Sequence, residues 1–147
     1  MLRKRSTGKN WVRVYPLGEM NARGHCVPQI ERVFGAEALL RSLPRPEALP
    51  DMRLLLAEEH EMGQTLTLNP GTWKIADTYL AQRRGFAFPC RIDRMSVELL
   101  SCCDGNKTLR SVIESLAQRF SFDFQRLCDE VLPITVRLMR NGYIIAV

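Results

Sequence analysis

Five cysteines, two histidines and a scatter of carboxylates are the side chains through which this chain of 147 residues could do covalent or metal chemistry. A zinc ion needs ligands that converge on a tetrahedron, and a Cys-x-x-Cys spacing is what lets two thiolates reach one ion. Here Cys102 and Cys103 are adjacent, Cys90 lies twelve residues before Cys102, Cys26 follows His25, and Cys128 stands alone. The spacing predicts no metal site, and Cys103 and Cys128 fall at core positions of helical patterns, where thiols are inert. His60 stands in Glu58-Glu59-His60-Glu61 without the second histidine of a His-Glu-x-x-His helix, and reads as the crest of a solvated loop. Gly63, Gly71 and Gly85 are isolated turn glycines, so there is no phosphate-cradling loop, and no nucleophile elbow is present. No catalytic residue, metal or cofactor is expected.

Composition sets the frame for those residues. An apolar content of 46% with 25% charged residues describes an ordinary globular chain, long enough to bury a core without disulfide or metal staples. The cysteine count is odd and irregularly spaced, which predicts reduced thiols and a cytoplasmic protein. No window approaches the roughly 18 consecutive apolar residues of a membrane span, and the basic N-terminus is not followed by an apolar signal region. The net charge of +5 is local: Arg3, Lys4, Arg5, Lys9 and Arg13 precede the first acid, Glu19, and the remaining 16 basic residues balance 16 acids. The excess is thus a basic tail, which can touch phosphates only non-specifically.

The elements that would carry a site follow from periodicity and punctuation. Residues 1–10 read as a mobile arm, and residues 11–15 alternate like an edge strand that Pro16 stops. Pro28 opens a helix over residues 29–42 with Ile30, Val33, Phe34, Ala38 and Leu40 on one side. Pro44, Pro46 and Pro50 then impose extended backbone and mark a domain boundary, separating residues 1–50, a basic tail and partly ordered extension, from a principal domain over residues 51–147. Apolar runs at 52–57 and 64–68 are expected to form a β-hairpin, and Asn69-Pro70-Gly71 has the composition of a type II turn. Residues 72–85 stay open, since Trp73-Lys74-Ile75 favours strand and residues 77–84 favour helix.

Residues 92–147 are clearer. Asp93 can cap a helix ending at Cys103, with Met95, Leu99, Leu100 and Cys103 towards a core, and Asp104-Gly105 stops it. Thr108 caps a second helix carrying Val112, Ile113, Leu116, Ala117 and Phe120. Asp123 caps a third, whose apolar stripe of Phe124, Leu127, Val131, Ile134 and Leu138 continues across Pro133, giving either a kink near Asp129 or two short helices; the unbroken stripe favours the kink. Asn141-Gly142 closes it, Gly142 taking positive φ, and residues 143–147 form a terminal strand that needs a partner. The expected fold is α+β, a winged-helix-like domain with a β-hairpin and three helices, preceded by a small N-terminal extension.

The run of Ile92, Leu99-Leu100, Cys103-Asp104-Gly105, Thr108, Ile113, Leu116-Ala117, Phe120, Val131, Leu138 and Gly142 resembles the PqqD-like family, named for coenzyme PQQ synthesis protein D. The resemblance implies a leader-peptide chaperone, a non-catalytic peptide-binding module of ribosomal peptide biosynthesis that presents a precursor to a radical-SAM or other modifying enzyme. It implies a peptide added as a strand along a sheet edge beside the first C-terminal helix. On that reading Arg94, Glu98 and Ser101 orient the ligand and Met95 forms its floor, while Asp93, Asp104, Gly105, Thr108 and Gly142 are turn and cap residues. The chain departs from the family at Pro133 and in its N-terminal extension. Two other readings stand beside this one. Helix, turn, helix and wing can read DNA, for which residues 109–120 offer Arg110, Gln118 and Arg119 but also Glu114. The same layout also closes larger modifying enzymes such as methyltransferases as a regulatory module. An exposed strand edge could equally take a second copy of the chain, giving a homodimer.

Overall fold

Proline and glycine set several of the element boundaries. The computed structural model describes residues 22–43, 46–86 and 89–147, with backbone alone at 22, 23, 46 and 47; the basic arm and the strand expected at 11–15 lie outside the described residues. A two-residue strand, β1 (Ala22–Arg23), leads into α1 (Val27–Ser42). Pro28 sits in its first turn, where a missing N–H costs nothing. The inward side only partly matches the one its apolar pattern suggests: Leu40 packs on the core as expected, together with Leu39 and Leu43, but the buried residues are Gln29, Ala36 and Glu37. The proline-rich stretch is likewise not extended throughout. Pro46–Asp51 winds into a 3-10 helix containing Pro50, and the Leu49 carbonyl accepts from Met52 N at 3.1 Å; the fixed φ of proline suits that tighter coil as well as it suits an extended chain.

Four residues, β2 (Arg53–Leu56), form the centre of a three-stranded antiparallel sheet. The expected pairing of 52–57 with 64–68 does not occur. Instead β3 (His60–Asn69) pairs along its whole length with β4 (Thr72–Gln82), from His60 opposite Gln82 to Asn69 opposite Thr72. Pro70-Gly71 makes a tighter reversal than residues 58–63 could, with Gly71 at φ 78°, the left-handed value a type II turn requires. The helix-favouring composition of 77–84 is overridden because Leu80, Ala81 and Gln82 are buried as the base of this hairpin. A short pair follows, β5 (Gly85–Phe86) against β1, and then β6 (Cys90–Ile92) adds to β4 at residues 78–80.

The C-terminal helices begin where their caps predict. Asp93 accepts from Ser96 N at 2.7 Å and starts α2 (Arg94–Cys102); Thr108 accepts from Ser111 N at 3.2 Å and starts α3 (Leu109–Phe120); Asp123 accepts from Arg126 N at 2.9 Å and starts α4 (Phe124–Arg140). Between α2 and α3 lies β7 (Asp104–Thr108), in which Gly105 has φ 80° and the register against β2 shifts, a bulge that a β-carbon would strain. Of the two alternatives for the third helix, two short helices are excluded, since α4 runs as one element through Pro133, which is exposed. Gly142 has φ 76° and releases the chain into β8 (Ile144–Ala146), whose partner is β2, with Leu54 opposite Ala146 and Leu56 opposite Ile144.

The sheet order β7-β2-β8 and the ribbon β3-β4-β6 enclose one core with the helices. Leu99, Leu109, Ile113, Leu116, Leu127, Val131, Leu138, Met139, Tyr143 and Ile144 are almost entirely buried, each aliphatic contributing about 1.5–3 kcal/mol of transfer free energy. The fold is α+β, consistent with a winged-helix-like domain whose long hairpin precedes α2, α3 and α4. No helix among the described residues is long and apolar enough to cross a membrane.

Candidate functional site

The residues singled out on α2 are not gathered into one groove. Arg94 stacks over the Phe120 ring at 5.8 Å, and Glu98 bonds Arg119 Nη1 at 2.8 Å, so both lean on the end of α3. Met95 is packed on the core, and Ser101 Oγ donates to the Val97 carbonyl of its own helix at 2.9 Å. The shallow groove beside α2 lies instead between the β6–α2 junction and α4. It has a volume of about 250 Å³ and is lined by Arg91, Ile92, Asp93, Ser96, Ile134 and Arg137. The cap residues do sit where turns need them. At Asp93 burial opposes the charge, but the side-chain and backbone hydrogen bonds from Ser96 outweigh it and hold the carboxyl below its usual range. Asp104 accepts from Asn106 N at 2.8 Å, which likewise favours its charged form.

The thiols are placed for packing. All five cysteines are unpaired, and Cys90, Cys103 and Cys128 are buried. Burial pushes Cys103 up to about 12, far from the thiolate that nucleophilic or metal chemistry uses. No group of three or more potential metal ligands comes together among the described residues. His60 Nδ1 donates to the Ala57 carbonyl at 2.8 Å, at the start of β3.

A polar clamp at the end of α4 was invisible in the apolar pattern. Gln29 is 1% exposed; its Nε2 donates to the carbonyls of Phe86 and Asn141 at 3.2 and 3.3 Å, and its Oε1 accepts from Phe86 N at 2.6 Å. Arg32 Nε and Gln82 Nε2 both donate to the Gly142 carbonyl, at 2.9 and 3.2 Å. Burial lowers the Arg32 pKa from its ordinary value. The clamp joins α1, β4, β5 and the α4–β8 turn, and it satisfies buried groups rather than presenting them to a ligand.

The surface that does face outward is the β3–β4 ribbon. Leu68 is 65% exposed, Trp73 64%, Ile75 56%, Leu66 50% and Met62 47%. Register puts them together: Leu66 is opposite Ile75 and Leu68 opposite Trp73, and directly opposed residues share a face. A bulge at Ala76, where Asp77 faces Thr65 and Ile75 faces Leu66, keeps this alternation in phase. Gln64 and Thr78 complete the same face, whereas Thr65, Thr67, Lys74 and Asp77 occupy the other, Asp77 paired with Arg91. The sequence signal was present as period-two alternation on both sides of Pro70-Gly71. The expected pairing of 64–68 with 52–57 leaves that signal unused.

Among the described residues β3 is an edge strand, and it carries no lysine, proline or bulge of the kind that blunts an edge. The outward groups of α3 are engaged differently. Arg110 bonds Asp51 at 3.0 Å and Arg119 bonds Glu98, so the two arginines a DNA reader would need are held in ion pairs.

No curated protein and no solved structure matches the chain. A family model does, over residues 31–146, from within α1 to the end of β8. With most of its length so covered, the chain belongs to the family described as a domain of unknown function, DUF7782.

Proposed function

We propose that the protein is a non-catalytic module that binds an extended peptide, or a segment of a partner protein, as a strand added along β3. The observation that carries this reading is the edge at residues 64–69, unpaired among the described residues and flanked by the exposed Leu66 and Leu68. Main-chain hydrogen bonds to such an edge supply affinity, and alternate side chains of the ligand, lying beside Leu66 and Leu68, supply selectivity. This moves the binding surface from α2 to the ribbon while keeping the mode of capture. The leader of a ribosomally made precursor, presented to a radical-SAM or other modifying enzyme, is the occupant in keeping with the PqqD-like resemblance of residues 92–142. Five unpaired thiols are in keeping with a cytoplasmic setting.

Peptides selected against the immobilised chain from a random display library should perturb the amide signals of residues 64–69. They should also slow hydrogen exchange there and bind with little dependence on salt. Thr65→Lys with Thr67→Lys, on the polar face of the edge, should abolish capture while leaving the thermal midpoint unchanged. Perturbation confined to residues 109–120 by duplex DNA, with affinity falling steeply as salt rises, would overturn this reading in favour of a DNA-binding regulator.

A further inference from the structure

The apolar face of the ribbon is two strands wide, and a strand added at the edge of β3 does not cover it. Such a strand abuts Leu66 and Leu68 but leaves Trp73 and Ile75 on β4 open to water. A cover must therefore span about 10 Å, the breadth of a helix or of a second ribbon. Roughly 500–600 Å² of the five side chains is exposed, as much as the largest apolar patch of an ordinary monomer.

We infer that the occupant of this face is the same face of a second copy of the chain, the two ribbons packing face to face about a two-fold axis. Area is the first argument. Mutual burial of two such faces removes roughly 1,000–1,200 Å², about what a specific interface requires. Charge is the second. Met62, Gln64, Leu66, Leu68, Trp73, Ile75 and Thr78 present no charged group, so the face meets its own copy without like-charge repulsion, while Lys74 and Asp77 point to the other side. Packing by faces also leaves the β3 edges of both copies outside the contact, so dimer and peptide do not compete. The inference thus uses the same ribbon as the strand-addition reading but a different part of it.

Sedimentation equilibrium of the full chain over the micromolar range tests it, with Leu68→Asp and Trp73→Asp as variants near the ribbon tip, where both side chains are mostly exposed. The wild type should sediment at twice the chain mass and each variant at the chain mass. In a Trp11→Phe background the emission of Trp73 should shift to the red on dilution, an independent readout if a charged variant folds poorly. A wild type that stays monomeric throughout, or a dimer indifferent to both substitutions with constant Trp73 emission, overturns the inference. Monomers that capture selected peptides at residues 64–69 sink the dimer and leave strand addition standing. A dimer lost on Leu68→Asp, whose wild-type edge takes no peptide, does the reverse.

Discussion

Gln29 shows how much one polar side chain can decide. Its amide serves three main-chain groups, at Phe86 and Asn141, from the inside of α1. Gln29→Ala should remove three hydrogen bonds from a buried site and destabilise the protein by about 2–3 kcal/mol in urea unfolding. Gly142→Ala should cost about 1 kcal/mol or more, because φ 76° strains a β-carbon, and that carbon would lie 3.3 Å from Gln29 Cγ. Asp93 gives a pH signature. Its folded carboxyl is held below the unfolded value of 3.8, so its contribution is complete above that value and is lost as pH falls through the folded one. Asp93→Asn keeps a capping oxygen without the titration. The stability gap between wild type and variant, measured by urea unfolding, should therefore close as the pH drops below about 4. Gly142 and Asp93 were legible in the sequence because a cap or a positive φ is a local demand. Gln29 was not, since its partners lie 57 and 112 positions away and no local pattern marks them.

At the scale of elements, the same distinction separates what could be read from what could not. The bounds of α3 follow from Thr108 and from five apolar residues at helical spacing, all within one stretch of chain. The partners of β2 do not, because both β7 and β8 lie far along the chain and four residues carry no register information. The hairpin departs from expectation because 64–68 has an apolar segment on either side of it, and only the Pro70-Gly71 reversal selects Trp73 to Ile75 over 52–57. The residues of α2 are arranged differently from expectation for another reason. Arg94 and Glu98 do project from the helix, but the end of α3 comes up to meet them. Pro133 offers an element-scale prediction. It interrupts the ladder of α4 at an exposed position, so Pro133→Ala should raise the thermal midpoint, by the equivalent of at most about 3 kcal/mol.

For the whole molecule, the α+β class was legible, and the place of α1 was not. α1 shares a core with α4, and the buried carboxylate of Glu37 binds both Arg41 and Arg140, at 2.8 and 3.3 Å. Composition divides the chain at its prolines, whereas packing crosses them. The four residues of β2 then govern how the chain folds in time. A hairpin closed by a two-residue turn forms within about 1–10 μs, while pairing β2 with β8 must first close a loop containing nearly every other element. The ribbon is therefore formed early, and until β8 docks its exposed apolar face stands beside core side chains that the folded chain buries. Pulsed hydrogen exchange during refolding should protect the amides of residues 66–75 first and those of β2 and β8 last. Over that interval the nascent protein is most prone to aggregate, and adding charge at Leu68 should raise refolding yield even where it leaves the folded body untouched.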